Sequence, residues 1–277
     1  MKNGYLKVGV ITQKVKIGDV SYNAECIITA VENASNMGIK LLSMPELCLC
    51  GVSSGDLFTM RNFISKARCA IIEIADKTKA LDTVFVFGAP IEVCGLLYDC
   101  AIIVYKGEIL GIVPKKSMAN YNENYDSRWF SSYDGENTFV DFDGKKVLFG
   151  NKIIFKNSKM GDFSFVCNVG QEYSAMNYAL NGATIIVNLG AHAEVIGSKE
   201  YYKMLAISDS AKTVSACLYA NAGSGESTTD VVYSGHNLIA ENGKILSESE
   251  IFNNGLISTE IDVDFLQRER SKIFNGK

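Results

Sequence analysis

Histidine, proline and tryptophan are scarce in this chain: two, three and one, respectively, among 277 residues. With only His192 and His236, no histidine-rich metal site can form. Any Ser–His or Cys–His device must use one of those two residues. With three prolines and no Ser/Gly/Pro-rich stretch, nothing marks a linker. A single domain over 1–277 is expected, and a chain this long buries a large core without disulfide or metal. Basic runs are missing too. The 27 Lys+Arg against 31 Asp+Glu leave a net charge of −4, which argues against a phosphate-binding nucleic-acid surface. No apolar stretch approaches the roughly 20 residues of a membrane span. The opening "MKNGYLKVGVIT" lacks the apolar core of a cleavable leader. A soluble, cytoplasmic protein is therefore expected, with no cofactor.

Cysteine is present but patternless. Cys26, Cys48, Cys50, Cys69, Cys94, Cys100, Cys167 and Cys217 lie scattered through apolar segments, and Cys48–Cys50 is C-x-C, not C-x-x-C. That spacing suits free buried thiols better than a disulfide framework or a zinc knuckle.

Short β-branched runs recur: 5–12, 39–44, 83–93, 100–105, 108–114, 145–150, 163–168, 184–190, 215–223, 236–243 and 255–262. They read as strands, several bounded by Gly turns. Helical period marks 21–37, with Gly38 as its stop, and also 60–80, 174–182 and 199–213. Strand–helix alternation at both ends, with hairpins between, predicts an α/β layered domain with large mixed sheets.

Three polar residues stand where apolar strands end. Glu46 follows "IKLLSMP", Lys115 follows "EILGIVP", and Cys167 lies near the end of "FSFVCN". In open α/β sheets the crevice beyond strand ends is the usual ligand site. Taken singly, each has an ordinary explanation: a loop acid, a surface lysine, a core thiol. Together they suit amide or nitrile hydrolysis without histidine. A carboxylate would act as base for the thiol, a lysine would stabilise the oxyanion, and a thioester would form on sulfur.

At these residues the chain resembles the nitrilase, or carbon–nitrogen hydrolase, superfamily. "MPELCLCGVSSGDLF" (44–58), "GIVPKKSMANYNENYDSRWF" (111–130) and "GSGESTTDVVYSGHNLIAENGKILSESEIF" (223–252) are similar to segments of the N-terminal glutaminase domains of glutamine-dependent NAD synthetases. The resemblance covers about 5–270. It implies an αββα sandwich with two mixed sheets, and a triad with Glu46 as base, Lys115 as oxyanion residue and Cys167 as nucleophile. It further implies substrate-contacting roles for Tyr121 and Glu123, cleavage of glutamine to glutamate and ammonia, an NAD synthetase domain or subunit as partner, and a homo-oligomer. The synthetase domain itself has no counterpart in these residues. The family writes Glu-Ile-Cys-Glu-Asp around its nucleophile, whereas Phe165, Val166, Cys167, Asn168 and Val169 stand here. Where it places a Ser and a glutamine-holding Arg, the chain has His192 and Ser198. A different small amide or nitrile, or a catalytically silent scaffold, are the alternatives those departures raise.

Overall fold

The computed structural model describes residues 4–120, 124–157, 163–170 and 175–274. Its first half runs β1 (Tyr5–Thr12), α1 (Val20–Asn36), β2 (Leu41–Ser43), α2 (Arg61–Lys77), β3 (Val84–Val93), β4 (Leu96–Tyr105) and β5 (Glu108–Pro114). Next come β6 (Thr138–Phe142), β7 (Lys145–Phe149), β8 (Phe155–Asn157), β9 (Phe163–Val169), α3 (Ala175–Leu180) and β10 (Ile185–Gly190). The chain closes with α4 (Ser198–Thr213), β11 (Ala216–Asn221), β12 (Leu238–Glu241), β13 (Lys244–Glu248), β14 (Gly255–Asp262) and α5 (Val263–Phe274). No described helix is long and apolar enough to cross a membrane.

The strands form two mixed sheets. One has eight strands in the order β14-β1-β2-β3-β4-β5-β7-β6, the other six in the order β13-β12-β11-β10-β9-β8. Both faces of the central strands are apolar, because each sheet is covered on both sides. Along β3, Phe85 and Phe87 face α1 and α2, while Val84 and Val86 face the second sheet. The second sheet repeats the scheme. Val166, Ile186 and Cys217 pack towards α3 and α4, and Phe165, Val187 and Leu218 pack between the sheets. The result is the expected αββα sandwich.

Helix limits follow local chemistry. Asp19 caps α1 by accepting from the Tyr22 N–H at 3.1 Å. Gly38, at φ +75°, ends it. The Gly38 N–H donates to Ser35 O and the Ile39 N–H to Ala34 O, both at 2.9 Å, the paired bonds of a Schellman stop. The eight thiols are all free, but not all are buried: Cys69 and Cys94 are exposed and Cys26 is half-buried.

One close approach positions the site. The turn at 46–50 lies directly on β3, with the Gly88 N–H donating to Pro45 O at 3.1 Å and the Leu49 N–H to Gly88 O at 3.2 Å. A Cβ on Gly88 would fall 2.1 Å from Leu47 N and 2.7 Å from Glu46 Cα. Backbone cannot swing aside as a side-chain tip can. Gly88→Ala should therefore push the Glu46 turn off the strand and cost about 1–3 kcal/mol, the range for overpacking. Urea unfolding of the variant beside the parent measures this.

Candidate active site

Glu46 leads the turn that follows β2, and the next residue, Leu47, is held in the left-handed region at φ +49°. Lys115 is the first residue beyond β5. Its N–H donates to Asp99 O on β4 at 2.8 Å, and its carbonyl accepts from the Tyr133 N–H at 3.1 Å. Both side chains are buried, Glu46 at 3% and Lys115 at 5% exposure. The Lys115 ammonium donates to Glu46 Oε1 at 2.5 Å and to Asp126 Oδ2 at 2.8 Å. Asp99 Oδ2 lies 3.7 Å away. Asp126 is oriented by its own turn: its carboxylate accepts from the Ala119 N–H at 3.2 Å, and its N–H donates to Ala119 O.

The electrostatics follow from crowding these charges out of water. Burial pulls the Lys115 ammonium down, but the carboxylates of Glu46, Asp99 and Asp126 outweigh it and hold the pKa above its ordinary value. Burial pushes Glu46 up, and the Lys115 charge together with the hydrogen bonds from Asp99 and Lys115 more than reverses that, so Glu46 remains a carboxylate. Asp99 goes the other way. Burial first, then the Glu46 charge beside it, raises it well above the carboxylate range.

Glu46, Lys115 and Asp126 form one wall of a cavity of about 970 Å³, which His192 and Ser198 also line. The structure thus brings four of the sequence-derived residues towards one space: Glu46, Lys115, His192 and Ser198. Tyr121 and Glu123 lie outside the described residues. Cys167 requires a correction. Its side chain is 2% exposed and packs among Val113, Val169 and Val187 between the sheets. It does not line the cavity, and the residue of β9's end that does is Gly170. Burial alone raises the Cys167 thiol. The run Phe163, Phe165, Cys167, Val169 has the period of a single strand face. That signal, present in the sequence, places Cys167 mid-strand instead of at its end.

Three further residues were not singled out from sequence. Asp126 and Asp99 surround Lys115. Glu226, in a short turn after β11, reaches across to the loop beyond Glu46. Its carboxylate accepts from the Val52 N–H, and its backbone carbonyl accepts from Ser53 Oγ at 2.6 Å. Val52 and Ser53 line the cavity, so Glu226 positions that wall. Opposite, the His192 ring stacks on Tyr202 at 4.5 Å between centroids, and the His192 N–H donates to Asn221 Oδ1 at 2.8 Å. Burial pulls His192 down to about 4, so it is neutral at pH 7. Ser198 Oγ donates to Glu194 Oε1 at 2.5 Å, which ties down the loop that leads into α4.

Glu226 supplies a pH test. Burial raises it to about 8, against the opposing Val52 N–H, while a free glutamate titrates near 4.3. Between those values the folded chain holds a proton that the unfolded chain has lost. Stability contributed by this group is complete below the lower value and falls as pH rises towards 8, by up to about 1.4 kcal/mol per pH unit. Glu226→Gln should remove that slope. Urea midpoints taken from pH 5 to pH 8 on both proteins measure it.

Comparison with known proteins gives the family. The family model for carbon–nitrogen hydrolases matches residues 7–270. The glutamine-dependent NAD(+) synthetase of Mycobacterium tuberculosis is 32% identical over 98% of this chain, which corresponds to 41% of that protein. The chain therefore spans less than half the length of the curated relatives it matches. Among solved structures, a glutamine-dependent NAD(+) synthetase from Cytophaga hutchinsonii superposes with a TM-score of 0.84 at 26% identity, covering 93% of this chain and 43% of that one. An amidase of the nitrilase superfamily from Nesterenkonia AN1, at 17% identity, shares the fold with a TM-score of 0.73 over 99% of this chain and 98% of its own. By its sequence, this chain belongs to the carbon–nitrogen hydrolase family, and its two-sheet fold is the one those solved structures share.

Proposed function

We propose that the chain is a glutaminase-type domain of this family, that its cavity takes a small primary carboxamide, with glutamine first among them, and that it works beside an NAD synthetase domain or subunit. The observation that carries the reading is the Lys115–Glu46 pair at the cavity wall. A carboxamide offers one acceptor and one donor side by side. The Lys115 ammonium donates to its carbonyl oxygen, and the Glu46 carboxylate accepts from its NH2 group. The relatives named glutamine-dependent NAD(+) synthetases support both the glutamine and the synthetase partner. Calorimetric titration with glutamine should show binding that Glu46→Gln weakens at least about ten-fold, the scale of one charge-assisted hydrogen bond. Unchanged affinity in that variant would remove Glu46 from the site.

The cavity's charge favours a second reading, an amide other than glutamine. Among the described lining residues, Lys115 supplies positive charge, and Glu46, Asp126 and Asp230 supply negative charge. Arg128, which could have met a free carboxylate, is paired with Asp56 at 3.0 Å. Lys199 lies 3.8 Å from Glu248. A ligand without a carboxylate suits such a wall better. Titrating propionamide and an amino-acid amide beside glutamine separates the two: this reading expects the carboxylate-free amides to bind more tightly, and it fails where glutamine binds best.

A further inference from the structure

The end of β9 shows which position could serve a nucleophile to this cavity. Strand residues rise about 3.3 Å each, so Cys167 lies roughly 10 Å back along β9 from Gly170, with its side chain between the sheets. Gly170 closes the strand. Its N–H donates to Leu189 O at 2.8 Å, its φ is +71°, and it lines the cavity. A Cβ built on Gly170 would stand 3.1 Å from Lys115 Nζ and 2.6 Å from Lys115 Cε. A side chain at 170 would meet the ammonium. The side chain at 167 points into the core.

We propose that position 170 is where a nucleophile would enter this site, that glycine leaves it vacant, and that the chain holds a carboxamide without forming a thioester. The proposal rests on the carboxamide reading of the cavity. Thioester formation needs a sulfur at bonding distance from the carbonyl carbon: a C–S bond forms, the C–N bond breaks, and ammonia leaves with the proton taken from the thiol. Position 170 carries no sulfur. The Cys167 sulfur is sealed between two sheets, away from the Lys115 ammonium that would favour its thiolate. What survives is the recognition half of the site: Lys115 for the oxygen and Glu46 for the nitrogen.

The test joins the unmodified chain to one variant. With the exposed thiols removed (Cys69→Ser, Cys94→Ser), Gly170→Cys is treated with iodoacetamide. The new sulfur displaces iodide, and its proton passes to buffer. Peptide mapping should find the label at 170, formed about ten-fold faster than on a free thiol because the ammonium favours the thiolate, and slowed by saturating carboxamide. Adding Lys115→Met should abolish the acceleration. The unmodified chain should bind carboxamide in the calorimeter, release no ammonia and leave Cys167 unlabelled. Two outcomes overturn the proposal: an inert thiol at 170 in a variant that unfolds cooperatively in urea, or ammonia release by the parent that Cys167→Ala abolishes. The parent's result decides the matter even where the variant does not fold. If no carboxamide binds the parent while the thiol at 170 still labels fast, the carboxamide reading fails and the vacancy at 170 stands.

Discussion

The buried charge of Lys115 is the constraint on which the rest of the site depends. An ammonium at 5% exposure must find anions or give up its proton. Here its anions come from separate parts of the chain: Glu46 beyond β2, Asp99 on β4 and Asp126 in a turn after β5. Satisfying one charge therefore locks four segments together. Three carboxylates around one ammonium is an excess of negative charge, and the upward shift of Asp99 relieves it by favouring the protonated form. Removing a single partner would leave the others uncompensated, which costs more than the pair contributes when intact.

Around that charge both sheets contribute. Glu46 and Lys115 stand beyond strands of the eight-stranded sheet. Gly170 and His192 stand beyond strands of the six-stranded one, and Glu226 follows β11 in that same sheet. The cavity is thus the crevice where strand ends of a layered α/β fold meet, as such folds place their ligand sites. Its wall geometry rests on backbone contacts. Gly88 lets the Glu46 turn lie on β3, and Glu226 holds the Val52–Ser53 loop. A neutral buried carboxyl suits that bridging task, because a second full negative charge near Glu46 would oppose it.

Much of the fold was legible because strands covered on both faces read as continuous β-branched runs, and α1 and α2 carry clear apolar stripes. The strands missed are those without such signals. β6 (TFVDF), β8 (FKN) and β13 (KILSE) are short and polar, and each belongs to a sheet edge. α5 is rich in charge, burying Val263 and Leu266 among polar residues. In the site, Glu46 and Lys115 were legible because each directly ends an apolar strand. Asp99 was hidden inside a strand, and Asp126 and Glu226 in loops, where an acid ordinarily faces solvent. Cys167 was misplaced because residue type outweighed period. A cysteine drew attention to itself, while the glycine three residues on, the true strand end, carried no chemistry to notice.

That asymmetry also explains how such a site can keep one half and lose the other. Glu46 and Lys115 compensate each other out of water, so each is held by folding stability as well as by any ligand. A side chain at 170 has no such anchor. The backbone there is left-handed, which glycine adopts freely and other residues at a cost of about 1–2 kcal/mol, and a Cβ would press on the Lys115 side chain. Folding alone therefore favours glycine at 170 and opposes neutral replacements at 46 or 115. A chain that needs the pocket as a binding surface gains stability by emptying that position, whereas a chain that needs the thioester must bear the strain. The Glu46–Lys115 pair is part of the fold; a nucleophile at 170 would be carried for chemistry alone.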